Sequence, residues 1–241
     1  MPVGMAADSA GFIALTTQFD DSTQAVPARG KFICLEGIEG VGKSTQVQAL
    51  ADHLTQHGIP VMATREPGGT EISEAVRGLL LSQDYPPMHE DTELLLVFAA
   101  RAEHLRKRIL PALETGTWVI SDRFTDATYA YQGGGRRIEV QRIAALESWV
   151  QGDFRPDLTL LLDAAVATGL ARAAKRGQGD RFEQETLAFF ERVRGIYHAR
   201  VRMQPERYAV IDAEQPLEQV RADLIARVDA LLDAGWNRGG A

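Results

Sequence analysis

The pattern of apolar and polar positions changes character at Lys31. Upstream, residues 1–29 keep neither a two-residue nor a 3.6-residue period and close on VPARG, which predicts a disordered N-terminal extension outside the fold. From Lys31, KFICLEG is a short apolar run stopping at glycine; a helical pattern follows from Lys43 to about His57 and is closed by Gly58. Strand-like runs recur at 60–65 (PVMATR), 117–122 (TWVISD), 158–163 (LTLLLD) and 207–212 (RYAVID). Helical patterns lie between them at about 71–82, 92–114, 137–151, 166–176, 183–203 and 216–233, with Gly116 and Pro156 as stop signals. Five strands alternating with helices predict an α/β fold, a five-stranded parallel sheet with helices on both faces. No repeat, low-complexity tract or linker divides 30–235, so residues 30–241 read as one domain.

Composition narrows the function. Of 241 residues, 33 are acidic and 26 basic, a net charge of −7 that argues against a nucleic-acid coat or a polybasic membrane binder. Hydrophobic residues at 45% and charged residues at 24% exclude a disordered chain. The single cysteine, Cys34, lies mid-strand, where it packs; it forms no internal disulfide and no cysteine-based zinc site, which suits the cytoplasm. No apolar run approaches the roughly 18 residues that span a bilayer. The acidic N-terminus reads poorly as a signal peptide.

Four polar clusters carry the candidate chemistry. GIEGVGKS at 37–44 fits G-x-x-x-x-G-K-[ST] directly after a strand and opening a helix. Gly37, Gly40 and Gly42 let the backbone aim its N–H groups, with those of Ile38, Glu39, Val41 and Thr45 nearby, at phosphate oxygens. Lys43 reaches the β- and γ-phosphates, and the Ser44 hydroxyl ligates Mg²⁺. Glu39 is the odd member: a carboxylate in an anion cradle binds a sugar hydroxyl or a hydrated Mg²⁺, or turns to solvent. The second cluster, TREPGGTEISEAVR at 64–77, has Thr70 as a helix N-cap and Arg65 and Arg77 within reach of the carboxyl end of the sheet. The third, SDRFTDATYAYQGGGRR at 121–137, offers Asp122 to hold magnesium water and Arg123 to hold an acceptor phosphate. Gly133, Gly134 and Gly135 read as a flexible loop, and Tyr131, Gln132 and Arg136 beside them suit a nucleobase. In the fourth, RAAKRGQGDR at 172–181, Arg172, Lys175, Arg176 and Arg181 flank two glycines as in a closing lid, although such a charge run is equally a solvated face. His53 and His57, four apart, lack the Glu of a zinc-hydrolase helix and read as a solvated face, and Asp163 receives no role.

Taken together, GIEGVGKST, TREPGGT, FAAR, DRFTDATYAYQGGGR and GDRFEQE resemble the bacterial thymidylate kinases, in the right order over about 30–215. The resemblance implies a three-layer P-loop NTPase fold and a homodimer that phosphorylates dTMP to dTDP with ATP and Mg²⁺, in dTTP biosynthesis, with neither nucleic acid nor membrane as partner. It places Glu39 near the deoxyribose 3′-hydroxyl and the metal, Arg77 and Arg123 on the acceptor phosphate, and Arg101 on the thymine. Thr128 and Gln132 fall at the base edge, and Tyr131 crowds the sugar 2′ position. The stacking ring of many relatives lies four residues before the base-contacting arginine. Here that place is Val97, and the expected ring is Phe98, one residue on. Some members carry an arginine inside the phosphate loop where this chain has Gly40, so the resemblance assigns catalysis to Lys43, Glu39, Arg123 and a lid at about 172–182, where Arg172, Lys175 and Arg176 are the candidates for the phosphates and Arg172 and Arg176 are taken as catalytic. Two rival readings remain at this level: a kinase for another small acceptor, and a nucleotide-dependent switch or DNA-partitioning ATPase that turns over ATP without one.

Overall fold

A computed structural model describes residues 28–175 and 181–235. The five strands are β1 (Phe32–Glu36), β2 (Val61–Arg65), β3 (Trp118–Asp122), β4 (Leu158–Asp163) and β5 (Tyr208–Asp212). They form one parallel sheet in the order β2-β3-β1-β4-β5. The alternation within β1 shows why its sequence is apolar throughout. Ile33 and Leu35 point into the large core shared with α1 (Lys43–Gln56), while Phe32 and Cys34 point into a second core on the opposite face with Leu105, Ile109 and Leu113. Arg29 pairs with Asp157 at 3.4 Å, so this residue, read from sequence as part of the extension, contacts the domain.

The remaining helices are α2 (Glu71–Leu81), α3 (Glu90–His104), α4 (Leu110–Glu114), α5 (Thr125–Thr128), α6 (Val140–Gln151), α7 (Val166–Ala174), α8 (Leu187–Met203) and α9 (Leu217–Gly235). Thr70 caps α2 by accepting from Ser73 N at 3.1 Å, as its sequence position predicts. Helices α3 and α4 run on through a wider π-helical stretch, Leu105–Ile109. Pro111 has no N–H and its ring crowds the carbonyl four residues back, which opens the turn before it without ending the helix.

One expectation is overturned. Gly133, Gly134 and Gly135 are not a flexible loop: they end a π-helical stretch, Tyr129–Gly135, that continues α5 and packs on α8. The glycines are there for space. A Cβ on Gly135 would lie 2.4 Å from the Phe189 ring and one on Gly134 2.6 Å from Ile196, while Arg192 donates to the carbonyls of both glycines at 3.0 and 2.9 Å.

Candidate active site

Register places the chemistry. Leu35 and Arg65 both align with Asp122, so the ends of β1, β2 and β3 lie level at the carboxyl rim, where the connections from β1 and β3 run toward opposite edges of the sheet and open α/β sheets bind their ligands. A cavity of about 260 Å³ opens there. Its phosphate-loop wall presents Glu39, Gly40, Gly42, Lys43, Ser44 and Thr45. Ile38 and Val41 are buried beneath in the core, which turns the loop backbone toward the cavity. Gly37, Gly40 and Gly42 all have positive φ (139°, 76° and 94°). Gly40 is the tightest: a Cβ there would lie 1.9 Å from the Gly169 carbonyl of α7. Gly42 opens α1 without a side-chain cap, leaving the first-turn N–H groups for an anion.

Lys43 is buried and donates to the carbonyls of Gly37 and Ile38 at 3.0 and 2.8 Å. Burial, reinforced by the charge of Arg123, brings its pKa down to about 8. Ser44 Oγ donates to Asp122 Oδ2 at 2.8 Å. Glu39 turns inward: Arg123 Nη2 donates to both its oxygens at 2.8 Å, and the Tyr131 hydroxyl donates at 3.2 Å. Burial alone would raise its pKa, but the charges of Arg123 and Lys43 prevail and hold it at about 2. Arg123 carries a positive φ of 72° and is packed against the Tyr131 ring, 5.3 Å from its centroid. Arg77 donates to the Pro67 carbonyl at 3.0 Å, and Arg65 pairs with Glu74 at 2.9 Å; both arginines line the cavity.

Opposite the phosphate loop, α3 brings Arg101 to the wall. Its Nε donates to Glu66 at 2.7 Å, and its Nη2 to the Phe124 carbonyl and Thr128 Oγ1 at 3.1 and 3.0 Å. Nη1 is buried with no hydrogen-bond partner among the described residues. Glu66 also pairs with His104 at 3.1 Å, and His104 in turn meets the Thr64 hydroxyl at 2.7 Å. Gln132, buried beside Thr128 and Tyr131, donates from Nε2 to Glu93 at 2.8 Å. Sequence reasoning missed Glu66, His104 and Glu93. Their spacing announces nothing, and only the fold brings Glu66 to a partner 35 residues away and Glu93 to one 39 away.

Two expected site residues lie elsewhere. Phe98 is not on the cavity wall. One residue along a helix is a rotation of about 100°, so Val97 lines the cavity, while Phe98 packs with Leu94, Tyr129, Ile138 and Ile143 and supports the Arg101 guanidinium from 4.9 Å. Arg172 is also off the wall: it lies on the face of α7 toward the end of β5 and donates to the Ala213 carbonyl at 2.7 Å. Arg176 lies outside the described residues. From the same basic segment Arg181 reaches the site's surroundings, donating to Glu93 at 2.6 Å, and Phe182 and Glu183 line the cavity. Both oxygens of Asp163 are held by Arg194 at 2.8 Å.

A phosphate loop on the central strand of a parallel sheet, facing a second polar wall across one cationic cavity, defines a P-loop phosphotransferase with a small phosphorylated acceptor. A family model described as thymidylate kinase matches residues 35–224. The chain belongs to that family, the thymidylate kinases. It is 58% identical over 205 residues to a thymidylate kinase of Ectopseudomonas mendocina (strain ymp), covering 85% of this chain and 98% of that protein. It is 57% identical over 191 residues to one of Ruthia magnifica subsp. Calyptogena magnifica, covering 79% and 93%. The crystal structure of thymidylate kinase from Ehrlichia chaffeensis has the same fold, with a TM-score of 0.68 at 34% identity over 83% of this chain and 99% of that one.

Proposed function

We propose that the two walls hold the two substrates of one transfer, in which the chain phosphorylates dTMP to dTDP with ATP. The donor phosphates lie along residues 37–45. The acceptor sets its phosphate between Arg77 and Arg123 and its base against Arg101, Thr128 and Gln132. Tyr131 and Glu39 meet the sugar. The observation that carries this reading is the convergence of Lys43, Arg65, Arg77, Arg101 and Arg123 on one cavity of a chain whose net charge is −7.

The acceptor is a phosphate monoester with a second pKa near 6, so it arrives mostly as a nucleophilic dianion and needs no general base. The chain's task is to hold two polyanions in line and to neutralise charge on the transferring group. Lys43 leaves its loop carbonyls for the donor phosphates. Arg123 keeps Nη2 on Glu39, which fixes its plane, and Nη1, 3.7 Å from Asp122 Oδ1, turns to the phosphate oxygens. Phe182 and Glu183, which follow the basic segment, line the cavity and support a role for the described end of that segment in covering the phosphates from water.

The residues present suit Mg²⁺. Among the described residues Asp122 Oδ1 is buried with no hydrogen-bond partner, its nearest cation being Arg123 Nη1 at 3.7 Å, and Ser44 Oγ lies 2.8 Å from Oδ2. Among the described residues no three His, Cys, Asp or Glu side chains gather as a metal cluster. One hydroxyl and one carboxylate are what this cation takes when phosphates and water complete its shell. Ser44 and Asp122 would hold Mg²⁺ there, where it would supply positive charge to offset that of the donor phosphates.

We also infer a homodimer, supported by Ile72 and Leu79 of α2 and Leu95 of the adjoining α3, which stand 60%, 42% and 55% exposed. No described helix is long and apolar enough to cross a membrane, and the single buried cysteine suits a cytoplasmic enzyme.

Arg77→Ala tests the acceptor half. Losing a charge-assisted contact raises the KM for dTMP roughly ten- to hundredfold and leaves the KM for ATP in place; an unaltered dTMP KM in steady-state kinetics removes Arg77 from the acceptor site.

A further inference from the structure

Glu93 stands in the first turn of α3, fully buried, and no part of the phosphoryl transfer calls for it. Its Oε1 accepts from Gln132 Nε2 at 2.8 Å and from Arg136 Nε at 3.2 Å; its Oε2 accepts from Arg181 Nη2 at 2.6 Å and from the same Arg136 nitrogen at 3.2 Å. Two guanidinium groups thus accompany the carboxylate, as a buried anion requires. Carboxylates only accept hydrogen bonds. An amide beside one must therefore present its NH₂, because the flipped orientation would set carbonyl oxygen against carboxylate oxygen. Gln132 lines the cavity, so fixing its NH₂ on Glu93 leaves its carbonyl oxygen as the atom for a bound base.

We propose that Glu93 is a positioning residue for acceptor specificity: by holding the Gln132 amide in one orientation it gives the base wall a hydrogen-bond acceptor beside the donor that Glu66 fixes on Arg101. This rests on the reading that the base lies against Arg101 and Gln132. Thymine presents a carbonyl at C4 and an N–H at N3, complementary to that donor and acceptor. Cytosine presents an amino group at C4 and a bare N3, which would set donor against donor and acceptor against acceptor. A wall of fixed polarity rejects the reversed edge because its own buried groups are left unpaired.

The test compares dTMP with 5-methyl-dCMP, which differ only on this edge, in Gln132→Met, Glu93→Gln and the exchanged pair E93Q/Q132E. In the exchanged pair Gln at 93 donates to Glu at 132, whose other oxygen again offers the cavity an acceptor. Gln132→Met and Glu93→Gln should each lower the kcat/KM preference for dTMP by about tenfold or more, mainly through a higher dTMP KM. The exchange should recover it to within about threefold of the parent. A preference untouched by Gln132→Met overturns the reading of the base wall, and the proposal with it. A preference lowered by Gln132→Met but untouched by Glu93→Gln, or an exchange no better than Glu93→Gln, overturns the role of Glu93 alone. If Glu93→Gln loses its cooperative thermal transition, the exchanged pair decides: folded with the preference regained it supports the proposal, and in any other state it overturns it.

Discussion

Lys43 is held in a state that its ligand should change. With its ammonium buried against the loop carbonyls and beside Arg123, its pKa lies near 8, below the ordinary 10.5. A polyphosphate favours the ammonium form and pushes that value back up. The sign follows: around pH 8 to 9, ATP binding takes up protons, and affinity falls as pH rises through about 8. Calorimetry in buffers of different ionisation enthalpy should detect the uptake at pH 8.5 and lose it in Lys43→Ala; equal uptake in both proteins would assign the proton elsewhere. The phosphate loop was legible residue by residue because its chemistry is local, eight positions that turn, donate and neutralise in sequence. Glu39 was legible as an anomaly, and the structure answers it with Arg123 and Tyr131. Glu66 and Glu93 were not legible, since a buried carboxylate acquires meaning only from partners that the fold delivers.

At the scale of elements, periodicity located the five strands and the longer helices, and caps fixed some of the ends, as Thr70 does for α2. It failed at 129–135, where Tyr-Ala-Tyr-Gln-Gly-Gly-Gly has local preferences that favour a loop and a buried surface that enforces a helix. Phe98 failed for a related reason: the motif gives its neighbourhood, and helical phase decides between it and Val97. Competing magnitudes at Gly135 can be set against each other. Replacing glycine by alanine in a helix contributes about 1 kcal/mol of stability, whereas a methyl group 2.4 Å from the Phe189 ring forces repacking that costs typically about 1–3 kcal/mol. Gly135→Ala should therefore be net destabilising and lower the melting temperature. A raised melting temperature would show that the segment yields freely and is not fixed by α8.

On the scale of the whole molecule, a chain of net charge −7 gathers Lys43, Arg65, Arg77, Arg101 and Arg123 at one cleft, which favours the capture of anionic nucleotides at that rim. Exposed Ile72, Leu79 and Leu95 lie outside the lining of that cleft, and the proposed homodimer would cover them. Sedimentation should give about twice the chain mass of 26.4 kDa, and Leu95→Glu should shift the protein toward one chain; a monomeric parent would remove the dimer. The proposed function requires a single cleft to join thymidine monophosphate to a donor triphosphate. Its most direct test is the purified protein with ATP and Mg²⁺, assayed for ADP and for nucleoside diphosphate with dTMP, dUMP, UMP, AMP and no acceptor. The expected result is dTDP formed in step with ADP, dTMP used best, and almost no ADP when the acceptor is left out. ADP released equally with and without dTMP, or another monophosphate used in its place, would contradict it.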